Sequence, residues 1–379
     1  MTPLRVLIVG AGPAGMVAAL ALARTGAVAH VVELESSHTA AGIGVNLQNS
    51  PLRALDSLGL LDAIERAGYP TGVVNMLDAT GAALMPPLRP ESLVPGRPAS
   101  IAIGRAELGR ILSEAVGTSG VVLRFGLTVD GLRSDRSGVD VTFSDGGAGR
   151  YDLVIGADGI NSRVRDLMMG SSAPKPQHNG QSIWRASAAR GDLTEYQLYN
   201  GPVSKVGLVP LSDTRMYLYL LESRETASGD GQHRDESDDR FAELHRALAP
   251  FGGMVPEIAG RLEPDIDFRS LKWLLLDDPW YRGRILVIGD AAHASTPHIS
   301  YGLGIAIEDG IVLAELLRVY GDDVDALLAA FMRLRFDRCR LVVQNSRQLG
   351  EWEQHPPADP SVYGRLMAET IAELSEPLW

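Results

Sequence analysis

The stretch Gly10-Ala11-Gly12-Pro13-Ala14-Gly15 decides the fold. Ahead of it, Arg5 to Val9 is a short, apolar, β-branched run of the kind found in a buried parallel strand. Behind it, residues 16–24 are rich in Ala and Leu and read as a helix, and residues 29–34 return as a second strand. This is a βαβ unit with GxGxxG at its first turn. Gly10 permits the tight turn, Gly12 lets a pyrophosphate approach the backbone, and Gly15 lets the helix pack on the strand. Pro13 and Ala14 complete the turn at the helix N-terminus, where free N–H groups and the helix dipole favour a phosphate. Glu33 ends the second strand, 23 residues after Gly10 (33 − 10 = 23), where its carboxylate can accept hydrogen bonds from both adenosine ribose hydroxyls. The unit predicts an adenine dinucleotide. It does not by itself choose between FAD and NAD.

Working outward, 379 residues with 45% hydrophobic side chains suffice for a large core and two intertwined domains. A net charge of −12 with no basic run to offset it argues against a nucleic-acid partner. The single cysteine, Cys339, excludes an intramolecular disulfide, and no Cys/His pattern has metal-ligand spacing, so no metal is expected. A reducing cytoplasm fits best. The one apolar stretch of membrane length, residues 6–23, is interrupted by three glycines and Pro13. A soluble chain without a targeting segment is expected, as a monomer or homodimer.

Two further strand-like runs, 152–157 and 284–288, each end in a Gly/Asp turn. Runs 183–189, 204–209 and 215–221 follow one another with short turns and predict an antiparallel sheet inserted between the Asp158 and Asp290 turns. Residues 224–239, polar and acidic, read as an exposed loop before a helix. From Asp325 the chain reads as polar helix packed along one edge of the nucleotide domain. The fold class is therefore α/β. A discontinuous Rossmann-like domain (1–70, 100–172, 272–325) carries a sheet domain (71–99, 173–271) and a helical tail (326–379).

Gly156-Ala-Asp158-Gly159-Ile-Asn-Ser162-Arg163-Val-Arg165 and Gly289-Asp290-Ala-Ala-His293 complete a set of three turns. In this order and spacing the chain resembles, over nearly its whole length, the p-hydroxybenzoate hydroxylase family of single-component flavin monooxygenases. The resemblance implies non-covalent FAD, with NADH or NADPH as a transient electron donor. It also implies O₂ and a small aromatic or N-heteroaromatic substrate, hydroxylated through a flavin C4a-hydroperoxide. Asp158 then belongs to a turn near the pyrophosphate, and Asp290 to one that contacts the ribityl chain. Gly44 and Val45 match the segment that runs past the flavin, Arg105 the helix start whose guanidinium reaches FAD, and Val129 a backbone contact to the adenine half. Gly302, Leu303 and Gly304 stand where the family approaches the isoalloxazine, with Leu303 and Ala306 replacing the common Gln and Asn. Thr296-Pro297-His298 resembles the salicylate- and 6-hydroxynicotinate-type subgroup. No Arg stands between Glu35 and Gly44, where some members contact phosphate.

Strand alternation puts Trp184 and Arg185 on opposite faces and Tyr217 and Tyr219 on one face. Arg185 can pair with a substrate carboxylate, and the two tyrosines can hydrogen-bond or stack. Each has a plainer reading as strand packing. His298 is the candidate base, or else a turn-holding histidine; Tyr217 and Tyr301 are alternatives for proton transfer. His293 reads as structural. A reductase or epoxidase on the same scaffold, or a non-catalytic flavin-binding module, remains an alternative. A halogenase lacks support because no Trp-x-Trp-x-Ile-Pro element is present.

Overall fold

A computed structural model describes residues 3–37, 43–223 and 239–377. Its central sheet has the strand order Tyr281–Arg282, Ile285–Val287, Leu153–Gly156, Arg5–Val9, Val28–Glu33, Val122–Phe125. All neighbours are parallel except the edge hairpin at 281–287. The glycine turn leads into the helix Pro13–Ala23, whose residues Gly15 to Leu22 are all buried. A helix apolar on every side must be covered on every side. Here the helix Gly302–Tyr320 covers it so closely that a Cβ on Gly310 would stand 2.6 Å from the Ala18 backbone nitrogen. Gly310→Ala is therefore expected to overpack this contact and destabilise the protein by about 1–3 kcal/mol. Urea unfolding checks this, and an unchanged midpoint would show that the two helices separate freely.

A second, six-stranded sheet has the order Leu262–Trp273, Gln177–Ala189, Arg215–Ser223, Ser204–Pro210, Tyr196–Asn200, Val74–Asp78. It corrects the expected arrangement in two ways. Gln177–Ala189 pairs with Arg215–Ser223 and Leu262–Trp273 rather than with its successor in sequence. The last pair, Tyr196–Asn200 with Val74–Asp78, is parallel, so the sheet is mixed. Both features are non-local pairings that alternation along one strand does not encode. The two faces divide as alternation requires. Trp184 packs on Phe268 in a core closed by Leu244 and Leu248 of the helix Arg240–Leu248, whereas Arg185, Tyr217 and Tyr219 share the other face. The segment expected as a loop before that helix lies, but for Asp239, outside the described residues.

The helical tail is Val324–Gln354 and Ser361–Ser375. It does more than follow an edge, because Lys205 of the second sheet pairs with Glu353 of the long helix at 2.6 Å. The tail thus bridges both sheets. Among the described residues, no helix is long and apolar enough to cross a membrane.

Candidate active site

The three glycine turns converge at the carboxyl ends of the parallel strands, where open α/β sheets place ligands. Gly10 has φ +107°, and a Cβ there would lie 2.4 Å from the Ala157 carbonyl oxygen, so the first turn touches the Asp158 turn. A Cβ on Gly289 would lie 3.2 Å from Ala14 Cβ, so the Asp290 turn abuts the first as well. Arg165, fully buried, ties the second turn to the third: it donates to Ile160 O at 2.9 Å and Ala291 O at 3.1 Å. Gly12 caps the first helix without a side-chain bond, and nothing lies within 4 Å of where its Cβ would be. The N-terminal amides of that helix therefore face open space, as an anion site requires. Glu33 braces the turn from below. Its Oε2 accepts from Ala11 N at 2.7 Å and its Oε1 from Glu35 N at 2.9 Å.

Asp158 is taken up by its own turn. Its carboxylate accepts from Ser162 Oγ at 2.5 Å and from Val164 N at 3.0 Å, beside Ser162, the N-cap of the helix Arg163–Met169. Burial raises this carboxyl above the usual range, with Ser162 and the amides acting the other way. The group shapes its own turn rather than offering a free carboxylate outward. Val129 is likewise in the core, and its carbonyl accepts from Arg163 Nε at 2.7 Å.

Asp290 and Arg105 behave differently. Both keep exposed surface, yet burial raises the Asp290 carboxyl and lowers the Arg105 guanidinium from their ordinary values. Exposed surface on groups so closely surrounded by protein is the wall of a cavity open to solvent. Arg105 feels Arg185, Asp290 and Tyr217, so this cavity lies between the nucleotide domain and the second sheet. Tyr217 reaches it from above, against Gly44: a Cβ on Gly44 would meet the Tyr217 ring at 2.8 Å. Val45 lies next to it, half-buried. Arg185 is held by Asp267 at 3.0 Å, and Asp267 also takes Arg269 Nε at 2.7 Å. Burial acts to raise the Asp267 carboxyl, and the two arginines outweigh it, leaving it below the usual range. Tyr219 shares a hydrogen bond of 2.5 Å with Tyr196 Oη. Asp267 and Tyr196 lie in no sequence motif that would mark them.

The structure does not bring the remaining candidates to this cavity. The His298 side chain is fully covered: Nδ1 lies 2.9 Å from Thr296 Oγ1 and Nε2 3.4 Å from Glu353 Oε2. Its ring edge rests on Gly350 of the long helix. Packed this way, His298 holds its turn to the helical tail, and direct proton abstraction from a ligand finds no open surface. Tyr301 is also core. Its phenol, pushed up to about 12 chiefly by burial, sits by the Ser50 amide, Glu308 and Arg338. Gly302 and Gly304 make room for Ser295 and Pro51, and the half-buried Leu303 packs on the main core. The interval after Glu35 that lacks an Arg lies mostly in 38–42, outside the described residues.

One group hidden from sequence spacing is His293, Asp309 and Cys339, whose ligand atoms all lie within 4.8 Å of one another. Arg335 donates to Asp309 Oδ1 at 2.8 Å and to Cys339 Sγ at 3.4 Å. A fixed guanidinium already supplies the cation there, so the group reads as a buried ion-pair core rather than a metal site. Glu308 and Asp309 in the middle of an apolar helix were the available signal, since buried acids need partners.

An open helix N-terminus, an acid at the end of the second strand and a cavity walled by Arg105 and Asp290 together fit FAD. The sequence pattern of the FAD binding domain family matches residues 3–346. The chain belongs to this family. Members like it are FAD-dependent monooxygenases. An FAD-dependent urate hydroxylase of Mycolicibacterium vanbaalenii is 31% identical, covering 91% of this chain and 87% of the relative. The 6-hydroxynicotinate 3-monooxygenase of Pseudomonas fluorescens is 27% identical, covering 84% and 83%. The crystal structure of Klebsiella pneumoniae HpxO with FAD and uric acid superposes with a TM-score of 0.83 at 26% identity, covering 98% of this chain and 95% of that one. Glu33 braces Ala11 at the glycine turn and ends the second strand. Glu33→Ala is expected to weaken FAD binding about tenfold, equivalent to one charge-assisted hydrogen bond of about 1.5 kcal/mol. Titration of the apoprotein with FAD, followed by flavin fluorescence, checks it.

Proposed function

We propose that this chain is an NAD(P)H- and O₂-dependent hydroxylase of a small, anionic aromatic or N-heteroaromatic molecule. The observation that carries the reading is that Arg105, at the start of its helix, feels the charges of Asp290 on the nucleotide side and of Arg185 and Tyr217 on the second sheet. FAD supplies the redox chemistry: reduced by NAD(P)H, it activates O₂, passing one oxygen atom to the ring while the other leaves as water.

The residues divide the remaining tasks. Gly12, Glu33 and Asp290 hold FAD. Arg185 and Arg269 share the single carboxylate of Asp267, which leaves positive charge for a substrate carboxylate or ionised ring oxygen. Burial raises the Tyr217 phenol, with Arg185 and Arg105 opposing, so the hydroxyl keeps its proton at neutral pH and donates to a substrate oxygen. Tyr219 and Tyr196 close the cavity roof, and His298 secures the turn beside it. The names of the urate and 6-hydroxynicotinate relatives support the substrate class. The single, buried Cys339 supports a cytoplasmic enzyme.

The test measures NAD(P)H oxidation, O₂ uptake, peroxide and product across a panel of aromatic and N-heteroaromatic acids. At least one compound should accelerate flavin reduction and yield hydroxylated product, with product and peroxide together accounting for the NAD(P)H consumed. NAD(P)H oxidation without O₂ uptake would make the protein a reductase instead.

A further inference from the structure

We infer that Asp309 is a positioning residue for FAD: through Gly289 and His293 it sets the turn that aims Asp290 into the cofactor cavity, and Arg335 fixes Asp309 for that task. Two residues after the strand Ile285–Val287 comes Gly289, where φ +59° and ψ −144° reverse the chain into the short helix Asp290–His293. A backbone that turns so sharply needs an acceptor for its buried N–H. One carboxylate oxygen, Asp309 Oδ2, accepts from Gly289 N at 2.9 Å and lies 2.7 Å from His293 Nε2. That oxygen grips both ends of a five-residue segment, with Asp290 between them. The other oxygen, Oδ1, accepts from Arg335 Nε at 2.8 Å.

The arrangement is closed on every side. Asp309, Arg335 and His293 are fully buried, and Arg335 also donates to Glu308 Oε2 at 2.8 Å and to Ile305 O at 2.9 Å. Burial acts to raise the Asp309 carboxyl, and His293 and Arg335 outweigh it, leaving it below the usual range and ionised. A buried ion pair adds little net stability compared with apolar packing, yet it fixes geometry sharply, because both oxygens of Asp309 are committed to buried donors. The Asp290 turn lies directly on this cluster, so its geometry depends on the cluster. Asn at position 309 has one acceptor oxygen and cannot serve Gly289, His293 and Arg335 together.

The experiment is a double-mutant cycle on FAD affinity, measured by quenching of flavin fluorescence on binding to the apoprotein. Asp309→Asn should raise the FAD Kd at least about tenfold, and Asp290→Ala about 10–100-fold. Combined, they should be clearly less than additive, because Asp309 acts through Asp290. Thermal unfolding of each apoprotein is recorded alongside. A purely structural Asp309 would lower the apoprotein Tm, and its effect on Kd would multiply with that of Asp290→Ala to within about twofold. That additivity, or an unchanged Kd in folded Asp309→Asn, overturns the inference. If Asp309→Asn does not fold, Arg335→Lys enters the same cycle with the same criterion, since Lys keeps the charge but loses the fork that holds Oδ1.

Discussion

Replacing Tyr217 by phenylalanine is expected to lower hydroxylation about 10²–10³-fold while FAD remains bound, the cost of removing one aligned donor from a site where charge develops. Tyr217 is buried on the cavity face of the second sheet, next to Gly44 and under the influence of Arg185 and Arg105. Phenylalanine keeps the ring and its packing on Ala102, Val209 and Leu211, so the change isolates the hydroxyl. NAD(P)H oxidation should continue and divert into hydrogen peroxide, since flavin reduction does not use this group. The pH profile carries a second prediction. Burial pushes the phenol upward, so Tyr217 stays protonated through neutral pH, as a donor requires and a base does not. Tyr217→Phe should therefore lower the rate across pH 6–9 without deleting an ionisation from the profile. Equal product per NAD(P)H in parent and variant would remove Tyr217 from the reaction.

Asp290→Ala is expected to weaken FAD binding about 10–100-fold, from the loss of charge-assisted hydrogen bonds of about 1.5–3 kcal/mol in total. The apoprotein should respond in the opposite sense. Burial raises the Asp290 carboxyl in the folded chain above its unfolded value, so the folded state holds this proton more tightly. The stability so gained is present at low pH and is lost as pH rises through the folded pKa. Above that folded pKa the parent apoprotein carries a charge that its surroundings disfavour, and there the alanine variant should melt at the same temperature or higher. A residue that costs stability without ligand and adds affinity with it is serving the ligand. A variant that loses stability and affinity together would instead show Asp290 to be structural. Thermal melts of the apoproteins, read beside the FAD titrations, separate these outcomes.

Much of the nucleotide half was legible because its signals are local. A β-branched strand, a glycine turn, an apolar helix and an acid at the end of the next strand lie within residues 5–33, and each follows from its neighbours in sequence. The faces of Trp184, Arg185, Tyr217 and Tyr219 were legible for the same reason, since alternation is fixed by the pleat. Sequence did not place His298. Its position after Pro297 suggested a place beside the flavin, but its direction was decided by Glu353 and Gly350, some fifty residues away, which draw the ring into the helical tail. Asp158 looked like Asp290, a carboxylate after a parallel strand. Only the tertiary structure separates them, because Ser162 and Val164 occupy the first while the second opens onto the cavity beside Arg105. The buried links from Asp309 to Gly289 and Arg335 were equally invisible. Composition and periodicity record how each segment meets water and its own backbone, and so they determined the elements and the cofactor turns. Which charge meets which depends on contacts between segments distant in sequence, and only the folded chain brings those together.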